Sequence, residues 1–301
     1  MRLRDATVAA APVLFVLLWS TGFVGAKYGL PYAGPMTFLS TRMAIVVVLH
    51  LVLAFATGAR WPTARETLHS IVTGSLVHGL YLGGVFVAIG QGVPAGISAL
   101  IPGMQPILTA TIANRWLDEK VSRLQWFGLA LGLAGVALVL HDHAIAGAAS
   151  LLGWVASFLS LIGITLGTLY QKRFGGGIDW RTGNLVQYVT AGSLFVFAAF
   201  AFETGGIRWT GEFIFAAVYL AVVLSIGAVA LMYWLIRRSA ATGFSSLFYL
   251  VPAVTALFAF VLFGERLDLL SIAGILVCAL GVIVVSRGAA ANAATRETPK
   301  S

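Results

Sequence analysis

Charged residues are scarce in this chain. Only 10% of its 301 residues are Asp, Glu, Lys or Arg, whereas 59% are apolar. A soluble domain of this size could not cover its surface with so few polar groups, so the composition predicts a membrane protein. The single cysteine, Cys278, lies inside an apolar run, which excludes a disulfide framework.

Acidic residues are missing from the middle of every predicted membrane span. Glu66, Glu119, Glu203 and Glu265 all lie at span ends. Proton-driven transporters commonly use a buried carboxylate relay. A transporter with this sequence would therefore be a facilitator, unless His78 carries the coupling as the only central side chain that titrates near neutral pH.

The groups that several other classes of protein need are also missing. The sequence contains no G-x(4)-G-K-[ST] loop for ATP and no paired carboxylates or nucleophile with its base within the spans. His141 and His143 stand alone in a predicted outer loop without further metal ligands. We therefore predict neither an enzyme nor an ATP-driven pump, with no cofactor and no metal.

Long apolar runs dominate what is present. Each is about 20 residues long, enough to cross a hydrocarbon core of roughly 30 Å as a helix. Ten such runs lie at 8–27, 35–57, 68–90, 94–114, 124–140, 149–171, 182–202, 213–235, 243–263 and 269–285.

The Lys and Arg residues are distributed unevenly between the predicted loops. With a cytoplasmic N-terminus, the inner segments hold 15 of the 19, the outer segments hold three, and Arg42 lies within a span. This bias supports ten spans with both termini cytoplasmic. It also accounts for the net charge of +8, so no nucleic-acid binding is predicted.

The stretch that begins at Ile97 recurs 146 positions later, with Pro106 falling on Pro252 and Gly128 on Gly274. Five spans per half is an odd number, so the second half enters the membrane from the opposite side. The fold class predicted is an all-α membrane protein of ten transmembrane helices in two inverted five-helix repeats, an architecture typical of secondary transporters. The repeats are predicted at 1–145 and 146–287, followed by a disordered cytoplasmic tail at 288–301.

The motifs of the chain resemble those of a known family. The fourth and fifth helices of each repeat carry P-x-x-T-A, a turn glutamate and a G-x(6)-G-V pattern, and Trp19 is followed by Ser20 in the first span. Over residues 8–287 the chain resembles the EamA-type members of the drug/metabolite transporter superfamily. The resemblance implies a bacterial inner-membrane exporter of amino acids, including aromatic ones, and related metabolites. It also implies a central cavity and halves braced by the fifth and tenth helices.

Four prolines lie in two of the apolar runs. Pro94, Pro102 and Pro106 lie in the fourth span and Pro252 in the ninth, and Pro102, Pro106 and Pro252 are the predicted hinge positions. Each removes a backbone donor, and in lipid such breaks are tolerated where they face protein or a water-filled cavity. They are either hinges for alternating access or static kinks that shape the packing.

Polar and aromatic side chains recur at midplane depth. They could line a cavity for a small amphipathic solute, or they could form interhelical hydrogen bonds worth about 0.6 kcal/mol each. The set predicted to bind substrate comprises Trp19, His78, Tyr81, Gln105, Ser245 and Tyr249, together with Arg42.

Arg42 is the only basic residue deep inside a span, where a charge costs at least about 2.5 kcal/mol. It could pair with a substrate carboxylate, extend outward to the interface, or bond to the carbonyls of a broken helix. A shift of 145 residues places it on Gln187, so the charge belongs to one half only.

Small residues mark a predicted packing face on the fifth and tenth helices. Gly128 and Gly132 form a G-x-x-x-G pattern that Gly274 echoes, suited to bracing within the chain or to a homodimer. Ser122 and Gln125 have the spacing of a capping box for the fifth helix.

Together these features predict a secondary exporter of amino acids and related small metabolites. Its partners are a small-molecule substrate and the lipid bilayer, and it is a monomer or a homodimer, multi-pass in the bacterial inner membrane. The alternatives are efflux of cationic drugs and uptake of a small metabolite. A cation pump would be expected to bury a carboxylate against its cargo, and the spans contain none.

Overall fold

The computed structural model describes residues 2–93, 95–139, 150–263 and 269–297. These residues form helices and no strands. In chain order the helices are α1 (Arg2–Gly29), α2 (Pro35–Ala56), α3 (Ala64–Gly90), α4 (Ala95–Gly103 and Gln105–Trp116), α5 (Arg123–Val139), α6 (Leu151–Phe174), α7 (Trp180–Phe202), α8 (Gly211–Arg238), α9 (Ala241–Ser246, Leu247–Tyr249 and Leu250–Phe263) and α10 (Leu269–Glu297).

The prediction of an all-helical membrane protein is confirmed. Within the described residues, eight helices, all except α4 and α5, are long and apolar enough to cross a membrane. α4 is interrupted at Met104, and α5 contributes a shorter apolar helix. Ten spans with cytoplasmic termini stay a prediction. α10 continues to Glu297, over most of the predicted tail.

Two π-helical turns lie at positions that the 146-residue shift of the repeat relates. α3 contains a π-helical segment at Gly74–Leu82, and α8 contains one at Leu220–Ala228. Both ends of the second segment lie 146 residues after those of the first, the same shift that relates the sequence motifs. In α8 the Ser225 hydroxyl donates to the carbonyl of Leu220, five residues back (3.2 Å). Such bulges disturb the regular helical ladder and are frequent at functional sites.

The proline-bearing helices meet at their breaks. Pro106 is in the first turn of its helical segment, where a missing N–H leaves no intrahelical bond unmade. Pro252 of α9 packs beside Gly103, because a Cβ at position 103 would lie 3.3 Å from the Pro252 Cγ. Pro102 lies just before the interruption of α4. The irregular backbone of α4 in the first half therefore packs against α9 of the second half.

Glycines bring α5 and α10 into close contact. A Cβ at Gly281 would lie 2.6 Å from the Gly132 nitrogen, and one at Gly128 would lie 2.9 Å from the Gly281 oxygen. A Cβ at Gly135 would lie 2.8 Å from the Gly274 oxygen. The predicted glycine face thus lies between two helices of one chain. The capping box is confirmed, because Ser122 and Gln125 exchange backbone and side-chain hydrogen bonds of 2.9 and 3.2 Å.

Loops from the two halves meet at one end of the bundle. The Arg60 guanidinium donates to the Gly177 carbonyl (3.0 Å), and Thr182 donates to the Arg60 carbonyl (2.6 Å). Beside this contact Asp179 caps α7, and its hydrogen bonds with Arg181 lower the pKa of the Asp179 carboxyl. The loop after α2 is therefore joined to the loop before α7.

At the opposite end, the Glu203 carboxylate at the end of α7 caps the start of α2. It accepts hydrogen bonds from the backbone of Met36 (2.7 Å) and from the backbone and hydroxyl of Thr37 (2.9 and 2.6 Å). Gly34 permits this approach, since a Cβ there would lie 2.4 Å from a Glu203 oxygen. A carboxylate at a helix N-terminus also interacts favourably with the helix dipole.

We expect Glu203→Gln to destabilise the protein by about 1–2 kcal/mol, because the amide loses the negative charge at the N-terminus of α2. The measurement is the thermal unfolding midpoint of the purified protein in detergent. Glu212→Gln is the matched control, because Glu212 also lies in the first turn of a helix, α8, but is exposed. Its charge should contribute no more than about 0.3–1 kcal/mol. Equal unfolding midpoints for the two variants would contradict the assignment of Glu203 as the cap of α2.

Candidate functional site

A small cavity lies at the centre of the described bundle, between α1, α2, α3 and α8. Its volume is about 40 Å³, which is room for only a few water molecules. The lining residues are mostly aromatic or aliphatic, with a cationic, an imidazole and a phenol side chain among them. They are Trp19, Gly22, Phe23, Arg42, Val77, His78, Tyr81, Leu82, Val85, Phe86, Leu224 and Val229.

Trp19 and Tyr81 form one wall of the cavity. Their rings are nearly parallel, at 12° with centroids 6.1 Å apart, and the Trp19 indole N–H donates to the Tyr81 hydroxyl (3.0 Å). Phe15 and Phe248 pack against Trp19, with centroids at 5.2 and 5.7 Å. The wall is therefore a rigid aromatic surface whose polar atoms are paired with each other.

Arg42 reaches the cavity from α2 and is only 3% exposed. Its Nε and Nη2 donate to the Ser225 hydroxyl on the π-helical turn of α8 (3.1 and 3.0 Å). Nη1 is buried and has no hydrogen-bond partner in the described structure. The guanidinium thus points inward, with one nitrogen still able to donate.

His78 lies on the π-helical turn of α3 and is also buried. Its ring is 4.6 Å from the ring of Tyr188, and its Nε2 has no partner among the described residues. Tyr188 donates to the Ser225 carbonyl, and Tyr233 donates to the Gln187 side chain (2.6 Å). Polar groups of α7 and α8 therefore support Arg42 and His78 from the second half.

The structure brings together Trp19, Arg42, His78 and Tyr81, but not the rest of the predicted set. The Gln105 amide donates to Thr168 (2.9 Å), and the Ser245 hydroxyl donates to the Thr242 carbonyl (3.1 Å). Tyr249 packs against Gly132 of α5. None of these three lines the cavity, because α4 and α9 direct them toward α5, α6 or their own backbone.

Sequence reasoning missed several residues of the site. Ser225 holds Arg42, Tyr233 holds Gln187, and Phe23 and Phe86 complete the lining. Each belongs to an apolar run without a motif. The repeat gives no signal for Ser225 either, because position 79 at the 146-residue shift is glycine.

No metal site is found in the part of the chain that the structure describes, where no group of three His, Cys, Asp or Glu side chains comes together. The segment with His141 and His143 lies outside the described residues.

We expect Tyr81→Phe to cost about 0.6–1.7 kcal/mol, because the Trp19 N–H loses its acceptor inside the membrane. A double-mutant cycle with Trp19→Phe, read from the thermal unfolding midpoints, measures the interaction energy between the two side chains. The double variant should be more stable than the sum of the two losses predicts, and strict additivity would contradict the hydrogen bond.

The sequence matches the EamA-like transporter family twice, over residues 7–141 and 151–287. One relative, the uncharacterized transporter YvbV of Bacillus subtilis, is 26% identical over 282 residues, covering 90% of this chain and 88% of its own length. The Escherichia coli inner membrane transporter YedA is 25% identical over 272 residues, covering 90% and 88% of the two chains. A "probable terminal-alkyne amino-acid exporter" of Streptantibioticus cattleyicolor is 26% identical over 298 residues, with 96% of each chain covered.

A solved crystal structure shares the fold, with a TM-score of 0.78 at 17% identity, covering 95% of this chain and 99% of the other. The family and the relatives are transporters, which confirms the prediction of a transporter rather than an enzyme. The predicted location, multi-pass in the bacterial inner membrane, is likewise confirmed by the apolar helices and the relatives. With family matches over most of its length, this chain belongs to the EamA-like transporter family.

Proposed function

We propose that this protein exports amino acids, including neutral and aromatic ones, and related small metabolites by alternating access. The observation that carries the proposal is the central cavity, in which a buried arginine with a free donor faces aromatic rings. The name of the Streptantibioticus relative, "probable terminal-alkyne amino-acid exporter", supports the same substrate class.

The two ends of such a substrate match the two sides of the cavity. The Arg42 Nη1 can donate a charge-assisted hydrogen bond to a carboxylate oxygen. Trp19, Phe23 and Phe86 offer apolar and aromatic surface to a side chain. Arg42 is the one cation of the described lining, and a sugar phosphate would need more than one to balance its charge. The same positive charge would repel a cationic drug, which disfavours that class of cargo.

Alternating access requires the cavity to expand, because about 40 Å³ cannot hold an amino acid. The loop contacts at both ends of the bundle support an occluded conformation, with Arg60 at one end and Glu203 at the other. We propose that opening bends the helices at the π-helical turns of α3 and α8 and at the breaks near Pro102, Pro106 and Pro252.

The arrangement of the chain in the membrane belongs to the same proposal. Ten spans in two inverted repeats, 1–145 and 146–287, with both termini cytoplasmic, are supported by the repeat-related turns of α3 and α8. The pairing of loops at each end also agrees with strict alternation of helix direction. Two symmetry-related halves supply the two access states.

Transport is proposed to be facilitated rather than proton-coupled. No Asp or Glu is buried among the described residues, so a carboxylate relay has no candidate there. His78 is the alternative coupling group in the cavity wall, because an imidazole ordinarily titrates near neutral pH, unlike the guanidinium of Arg42 and the phenol of Tyr81.

Counterflow in liposomes tests the proposal. Purified protein is reconstituted, the vesicles are preloaded with one amino acid, and uptake of labelled tracer is followed with and without a pH gradient. We expect exchange of aromatic or other neutral amino acids, or of the related acids, regardless of the gradient. Exchange of a cationic dye alone would overturn the substrate class, and a strict need for the gradient would move the coupling role to His78.

A further inference from the structure

The charge of the cavity is unbalanced. Among the Lys, Arg, Asp and Glu side chains that the structure describes, Arg42 alone is buried. The cavity lining adds the phenol of Tyr81, the imidazole of His78 and the indole of Trp19, and the described lining contains no carboxylate. A buried charge without a counterion is costly, so the cavity favours a ligand that supplies one negative charge.

A zwitterion supplies that charge only together with a positive one. In an α-amino acid the ammonium and carboxylate groups are attached to the same carbon, so a carboxylate at Arg42 brings the ammonium close to the guanidinium. Like charges at such distances repel, most strongly away from water. The Tyr81 phenol of the lining already accepts the Trp19 N–H (3.0 Å), and the described lining contains no acid to balance an ammonium. The His78 Nε2 can accept a hydrogen bond, but a neutral imidazole supplies no negative charge.

We infer that the preferred cargo is a small carboxylate with one net negative charge and an apolar or aromatic body, such as a 2-hydroxy or 2-oxo acid, and that it crosses the membrane as a single charge. This inference rests on the proposed function of the same cavity. A monocarboxylate neutralises Arg42, whereas an amino acid leaves the occupied site with a net positive charge.

A driving force follows without any proton relay. A monoanion that crosses alone moves toward the positive side of the membrane, however the protein is oriented. A potential of about 100 mV sustains a gradient of about 50-fold, equivalent to ~2.3 kcal/mol per charge. Across a membrane that is negative inside, such a transporter exports its cargo.

The test compares molecules that carry the same benzyl group and differ in charge. Full-length protein in liposomes is assayed by counterflow with phenylalanine (zwitterion), phenyllactate (anion) and phenethylamine (cation), after subtraction of the leak into protein-free vesicles. Leucine and 2-hydroxyisocaproate provide a second pair. We expect each hydroxy acid to exchange at least about tenfold faster than its amino acid and the amine not to exchange, in line with one charged contact.

Each outcome separates the two proposals. If the amino acids exchange as fast as the hydroxy acids, the inference is overturned and the proposed function stands. If no member of either pair exchanges, both are overturned. With a potassium gradient and valinomycin, phenyllactate should accumulate on the positive side and phenylalanine should not, and exchange of phenyllactate without any response to the potential would overturn transport as a single charge.

Discussion

Replacing Arg42 with glutamine is expected to weaken substrate binding by about ten- to a hundredfold, equivalent to roughly 1.5–3 kcal/mol for one hydrogen bond to a charged group. Glutamine is the residue that the repeat places at the corresponding position, Gln187, so the change makes the two halves alike. The measurement is the concentration dependence of counterflow for the best substrate of the wild-type protein.

The same variant separates a binding role from a structural one. If Arg42 serves the substrate, removing a buried charge without a counterion leaves the thermal midpoint unchanged or raises it. If its bonds to Ser225 mainly hold α2 against α8, the midpoint falls along with transport. Arg65→Gln is the matched control, because Arg65 is exposed at the start of α3 and should change neither quantity.

Most of the fold could be predicted from sequence because the signals are long and periodic. Apolar runs set the helices, and the 146-residue shift recurs in the structure as the paired π-helical turns at Gly74 and Leu220. The turns themselves could not be predicted, since neither π-helical segment contains a proline and nothing in their composition distinguishes them from a regular helix.

The candidate site was predictable only in part, for a geometric reason. A helical stripe fixes which residues share a face, but not which neighbour the face meets. Trp19, His78 and Tyr81 turn toward α2 and α8, whereas Gln105 and Tyr249 turn toward α6 and α5. The inward direction of Arg42 depends on Ser225, and no pattern in the sequence links these two residues.

We expect the stability of the fold to depend strongly on the contact between α5 and α10. The backbones of these helices approach so closely that a Cβ at Gly281 would lie 2.6 and 2.8 Å from the nitrogen and Cα of Gly132. Those atoms are backbone and cannot rotate away, so any larger side chain must push the helices apart. In membranes such close packing of small residues is itself a main source of helix association.

We therefore expect Gly281→Leu to destabilise the protein by about 3 kcal/mol or more, at or above the upper end of the usual cost of overpacking. The measurements are monodispersity in detergent and the thermal unfolding midpoint. Gly227→Leu is the matched control, because a Cβ at Gly227 meets nothing within 4 Å. If both variants lowered the unfolding midpoint by similar amounts, a leucine at a glycine position would be harmful wherever it lies in a transmembrane helix. That result would contradict a special contribution of the α5–α10 contact to stability.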